Sequence, residues 1–206
     1  MATRPVPYNT DTELSSVNAI LAAIGQAPIT TLNFDNPQVS LIHNLLMECS
    51  IDVQNEGWVF NRENHYPLKP DADDHIRIPA NMLRIDISEG QIWRATDVVK
   101  RGGMLYDKMR HSNIFTEPVE VDVVWLFDYT DLPTVFQRYI TYRAAGRACA
   151  QMVVDRELVQ MITAQEAFTR AACMEYECNQ GDYTIFGTPD GTAYRPYQPF
   201  QALFRR

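Results

Sequence analysis

The chain's obvious general bases and metal ligands are four histidines, His43, His65, His75 and His111. They fall in four different segments, and none stands in an HxxxH or HExxH frame, the spacing that sets two imidazoles on one helix face around zinc. His43 adjoins an apolar helical stripe and reads as a partly buried structural histidine. His111 falls in a loop. His75 follows Asp71, Asp73 and Asp74, the one acidic–histidine grouping in the chain. Asp73, Asp74 and His75 carry the donor atoms a divalent cation takes. Their spacing matches no standard metal loop, so they read as a solvated loop. Glu166 and Glu175 share a helical stretch, where a carboxylate pair reads as a wet face; glycosidase chemistry needs two carboxyls across a cleft. No Gly-x-Ser-x-Gly, phosphate loop or dinucleotide fingerprint is present. These residues call for no enzyme, no cofactor and no metal.

Composition narrows the classes further. The net charge of −8 argues against tight nucleic-acid binding, which needs Lys and Arg to neutralise phosphates. It does not exclude a protein that DNA slides past. Cys49, Cys149, Cys173 and Cys178 form no CxxC pair, and they read as reduced, structural residues of a chain made in a cytosol. The opening residues have no apolar core of a secretory signal, and no stretch approaches the ~20 apolar residues of a membrane span.

The elements that must position these residues follow from period and punctuation. Thr10-Asp11-Thr12-Glu13 reads as a capping box before a helix with Leu14, Val17, Leu21 and Ile24 on one stripe; Gly25 and Pro28 end it. Asn36-Pro37 starts a second helix, whose stripe is Val39, Ile42, Leu46, Cys49 and Val53, running to about Glu56. From Trp58 to Phe127 the character is β. Tyr66-Pro67-Leu68, His75–Pro79 and Leu83–Ile87 read as short strands. Val98–Tyr106 reads as a hairpin turning at Gly102-Gly103, and Val119–Phe127 as the strongest strand, in a unit of five or six. Helix returns after Asp131-Leu132-Pro133 with Val135, Tyr139, Tyr142, Gly146, Cys149 and Val153. Asp155 caps a last helix that carries Leu158, Met161, Ile162, Phe168 and Ala172 to about Tyr176.

The fold class is therefore α+β, a four-helix bundle with an antiparallel β-rich insertion and an extended C-terminal arm. The boundaries are 1–57 and 129–178 for the two helical parts, 58–128 for the insertion and 179–206 for the arm. Aromatic residues and Arg are enriched at interface centres, and the arm is rich in both. Its Tyr183, Phe186, Tyr194, Tyr197, Phe200, Phe204, Arg205 and Arg206 are candidate contacts, on the same chain or on a neighbour.

Several of these segments, in order, resemble the tail tubular protein A family of short-tailed phages. They are Leu14–Pro28, Glu56–Asn61, Pro79–Asp86, Arg101–Asp107 and Leu132-Pro133 with Tyr139–Arg147. The resemblance covers roughly residues 10 to 180. It implies a structural virion protein and no enzyme: a head-to-tail adaptor forming a ring, dodecameric to match the portal, between portal and tail nozzle. It implies a lined DNA exit channel, surfaces for tail fibres and a place in the virion tail below the portal, after assembly in the host cytoplasm. The implied partners are further copies of the chain, the portal, the nozzle, a tail fibre and passing genomic DNA without specific binding, with no membrane. The arm is then the candidate portal contact. The alternatives are a virion-associated cell-wall hydrolase and a portal-independent assembly factor.

Overall fold

The computed structural model describes residues 12–88, 96–153 and 155–181. It is a mixed α+β structure. Helices α1 (Glu13–Ala23) and α2 (Pro37–Gln54) precede strands β1 (Arg62–Leu68), β2 (Met82–Ile87), β3 (Val98–Arg101), β4 (Met104–Asp107) and β5 (Val119–Trp125). A single 3-10 turn (Tyr129–Asp131) then leads to α3 (Thr134–Met152) and α4 (Arg156–Gly181).

Capping chemistry sets the helix ends. The first helix is capped by Thr12, whose side-chain oxygen accepts from the Ser15 amide. Glu13 is thus the first helical residue, and Thr10 of the expected capping box lies outside the described residues. At the other end the Gln26 amide bonds Leu21 O and the Gly25 amide bonds Ala22 O, with Gly25 at φ +75°. That pair of bonds is a Schellman cap, and its left-handed residue favours glycine. The loop beyond is clipped by Asn18, whose amide donates to Ile29 O while its carbonyl accepts from Ile29 N. Helix α2 starts as its sequence dictates: Asn36 accepts from the Gln38 amide and Pro37 opens the helix. Its whole stripe, Val39, Ile42, Leu46, Cys49 and Val53, is buried.

Helix α3 is the middle element, packed on α4 along one side and on α1 and α2 along the other. It therefore buries more than one stripe. Phe136, Ile140, Ala144, Ala145 and Ala148 join Tyr139 and Cys149 in the core, whereas Tyr142 is partly exposed. Helix α4 passes Gly146 at a distance where a Cβ would make ordinary van der Waals contact with Ile162, 3.7 Å away. Asp155 caps α4 through the Glu157 and Leu158 amides, and the helix runs on past Tyr176 to Gly181.

The β region forms two small antiparallel sheets among the described residues, one of order β1-β5-β2 and a hairpin β3-β4. Gly102 and Gly103, both at positive φ, make the hairpin turn. His75–Pro79 is no continuous strand. His75 and Arg77 make isolated bridges to Ile114 and Met104, although Ile76 and Ile78 do point into the core as their alternation requires. Leu68, Ile76, Ile78, Met82, Val98, Leu105, Phe115, Val119, Val121 and Val123 form this region's own core, separate from the helical one.

Candidate assembly surfaces

The four histidines that invited a chemical reading lie in separate places in the fold. His43 Nε2 lies 3.4 Å from Glu13 Oε2, with Phe34 edge-on to its ring at 4.9 Å. His65, at φ +57°, marks the bulge in β1; its amide donates to Asp122. His75 Nδ1 sits 3.0 Å from Asn113 O. His111 occupies a left-handed turn position after β4. The Asp71 carboxylate accepts from the Asp73 and His75 amides and from Arg77, and the backbone bond from His75, first among these, holds its carboxyl below the usual carboxylate range. No group of three His, Cys, Asp or Glu side chains converges as a metal site among the described residues. Glu166 and Glu175 are nine residues apart on α4, which places them on opposite faces of the helix. Among the described residues no helix is long and apolar enough to cross a membrane. Burial raises the thiol of Cys49 to about 11 and that of Cys173 to about 12, while Cys178 is exposed.

What the structure assembles instead is a set of rigid joints. The first is ionic and spans α2, α3 and α4. Arg170 donates to both carboxylate oxygens of Glu56, at 3.1 and 2.9 Å, and to the Tyr139 hydroxyl at 2.7 Å. Arg143 donates to the same hydroxyl at 2.9 Å and lies 3.6 Å from Glu56. Arg147 donates to Asp52 at 2.6 Å. The Glu56 carboxylate, then the Tyr139 hydroxyl, stabilise the Arg170 cation and raise its pKa. These guanidinium groups line a groove between α3 and α4, and each is paired with Asp52 of α2 or with Glu56 just beyond its end.

The second joint fixes the β region where the chain enters and leaves it. Asn61 is 1% exposed. Its carbonyl accepts from the Trp58 amide, and its amide donates to Gln54 O and to Trp125 O. Gln54, fully buried, donates to Phe127 O and Ser50 and accepts from the Phe127 amide. The Trp58 indole donates to Val53 O, and Glu177 near the end of α4 accepts from the Val59 amide. One carboxamide thus ties the end of α2 and the end of β5 together. Sequence reading missed Asn61 and Gln54 as a pair, because a lone Asn after an aromatic run and a Gln at a helix end are ordinary surface residues. The only signal was that Gln54 follows Val53 on the buried side of α2.

The third feature is apolar and exposed. Phe168 is 73% and Met161 70% exposed on one side of α4, and Met174 is exposed about 120° round the helix from Phe168. Leu41 and Ile51 are exposed on α2. The β region shows Met109 and Ile114 near the turn that follows β4. The arm residues Tyr183, Phe186, Tyr194, Tyr197, Phe200, Phe204, Arg205 and Arg206 lie outside the described residues.

Comparison with known proteins accords with a chain built of joints and faces. A profile of the family described as Tail tubular protein matches residues 14–183. A protein named Tail tubular protein A, from Klebsiella phage KP34, is 30% identical over 122 residues, which are 59% of this chain and 62% of that relative. The match thus spans less than two thirds of the relative's length. The profile covers all the elements from α1 to α4, and on that ground the chain belongs to the tail tubular protein family, structural components of phage tails.

Proposed function

We propose that the chain is the head-to-tail adaptor of a short-tailed phage. On this reading identical copies form a ring, a dodecamer matching the portal, between portal and tail nozzle, and genomic DNA passes through without specific binding. The observation that carries the reading is the pair of rigid joints that lock the helices to one another and to the β region. A subunit that sits between two other assemblies must transmit position without yielding.

The parts divide the work. The helical parts, 1–57 and 129–178, build the ring. The insertion, 58–128, faces the nozzle and tail fibres. The arm, 179–206, reaches the portal. The acidic balance of the chain suits a channel that repels phosphates.

The test is electron microscopy of the purified protein mixed with portal. The expected result is rings stacked on the portal's tail-facing end; portal particles left bare at saturating protein overturn the reading. Removing residues 182–206 is expected to abolish portal binding while far-ultraviolet dichroism stays unchanged. Undiminished binding overturns the arm's role and leaves the ring itself standing.

A further inference from the structure

Helix α2 packs on α1 and α3, and one side of it stays in solvent. Leu41, Asn44, Glu48, Ile51, Asp52 and Asn55 are all exposed there. At 3.6 residues per turn they fall within about 100° of arc, the width of a stripe that one segment can cover. From Leu41 to Asn55 the stripe is ~21 Å long at 1.5 Å per residue. Its two apolar side chains, Leu41 at 42% and Ile51 at 44% exposure, stand on either side of Glu48. Asp52 is held by Arg147 at 2.6 Å, whereas Glu48 has no cation within ion-pair distance among the described residues.

Two observations say what covers this side. The first is charge. Residues 5–61 contain no Lys or Arg, so this region offers a partner only Asp and Glu. Residues 191–206 have the opposite character: Arg195, Arg205 and Arg206, no Asp or Glu, and Tyr194, Tyr197, Phe200 and Phe204 among them. Arg and aromatic side chains suit burial against a face that is both acidic and apolar. Helix α4 interleaves Arg156 and Arg170 with its own carboxylates; α2 has no such cation to turn an arginine away.

The second is position. Glu177, one turn before the end of α4, accepts from the Val59 amide at 2.8 Å, and Arg170 donates to Glu56 at 2.9 Å. Helix α4 therefore ends beside the exit of α2, and the chain continues from there. The stretch 182–206 can reach up to ~80 Å at ~3.3 Å per residue, several times the length of the stripe. A tether that starts so close gives a local concentration on the order of millimolar, which favours the subunit's own arm over one from a second copy.

We propose that in the free subunit residues 182–206 fold back along the exposed side of α2, with aromatic rings against Leu41 and Ile51 and an arginine on Glu48. This goes beyond the portal contact proposed above and does not depend on it: it assigns the place of the arm before the portal is met.

The test reads the accessibility of a thiol at position 51. Ile51→Cys is placed in a full-length chain that also carries Cys178→Ser, which leaves only buried native cysteines beside it. A neutral thiol reagent is expected to modify position 51 about tenfold more slowly in the full chain than in the same chain ending at Gly181, because only the fraction with the arm lifted reacts. Equal rates overturn the proposal and leave the portal contact to its own test. In the full chain Glu48→Arg is expected to remove the protection. Adding Arg195→Glu, Arg205→Glu and Arg206→Glu to that variant is expected to restore it. Protection untouched by Glu48→Arg overturns the pairing of the arm with Glu48. Phe168→Cys in the same Cys178→Ser chain is expected to react equally with and without the arm. If that position is the protected one and position 51 is not, the arm lies on α4 and the proposal is overturned. Protection that falls on dilution belongs to arms exchanged between copies, and overturns the placement on the subunit's own α2.

Discussion

The helical part and the β part bury their residues by different means. In the helical part the core is large and continuous, with a cluster of aromatic rings at one place in it. Phe136 is met edge-on by Trp58 at 4.9 Å and by Tyr176 at 5.6 Å, and at a tilt by Phe60 at 4.6 Å, so residues from α2's exit, α3 and α4 meet on one ring. In the β part the core is small and mostly aliphatic, and its turns are held by carboxylates. Asp107, 2% exposed, accepts from the Met109 and Arg110 amides, as Asp71 does from Asp73 and His75. Short strands with few apolar partners need such turns to fix their register, whereas long helices fix one another. The expectation from this difference is that the helices carry the stability and that the β part depends on them through Asn61 and Gln54.

Four measurements break or sharpen that contrast. The largest effect is expected for Phe136→Ala, which empties the centre of the aromatic cluster. A loss of about 4 kcal/mol in urea unfolding is expected, with both parts melting together, because large aromatic truncations in cores cost that much. A β part that survives the melting of the helices would reverse the dependence. Asn61→Ala comes next. It leaves the Trp58 amide and two carbonyls without their partner, at about 3 kcal/mol for buried groups so orphaned. Hydrogen exchange should then quicken in β1 and β5 while α3 stays protected; equal acceleration everywhere would mean the clamp is not a junction. Leu105→Ala, at a fully buried site of the β core, is expected to cost about 2–3 kcal/mol and to raise exchange only in β2 to β5.

The smallest effect is a pH dependence confined to the helices, because residues 58–128 contain no cysteine. Burial raises the Cys49 thiol from 9.0 to about 11 and the Cys173 thiol to about 12. The folded chain therefore keeps protons that the unfolded chain has released. That contribution is complete below pH 9 and is lost as pH rises through the folded values. Melting temperature should fall between pH 9 and 11, and less steeply once Cys49 and Cys173 are Ala. In the native protein at neutral pH a thiol reagent should modify Cys178 rapidly and Cys49, Cys149 and Cys173 only on unfolding.

Periodic elements were legible and single residues were not. The stripe of α2 from Val39 to Val53, its Asn36 cap and the Gly102-Gly103 turn follow from local rules, and each is found where those rules place it. The capping-box pattern pointed to Thr10, which lies outside the described residues; the described helix is capped by Thr12, which has no Glu three residues on and so carried no box signature. The β character of His75–Pro79 was read from alternation, which reports burial; the missing ladder depends on partners far along the chain. Tyr142 looked like a core residue because α3 was read as having one buried side, and a helix held between neighbours has two. The clamp at Asn61 has no periodic signature at all, since its partners Gln54 and Trp125 are fixed only by the folded chain. The arm residues from Tyr183 to Arg206 lie outside the described residues, and their role stands as proposed.

The placement of Asn61 has a mechanical meaning. The chain enters the β part beside Trp58 and leaves it beside Trp125, and Asn61 bonds to both exits as well as to α2. A pull on the β part is therefore shared by two adjacent crossings and cannot peel one strand while the other holds. The bonds of Asn61, of Gln54 to Phe127 and of Glu177 to Val59 must fail together. Load arriving at one end of the subunit is handed to two helices at once, α2 through Gln54 and α4 through Glu177, so the junction resists bending in the manner of a strut and not of a hinge.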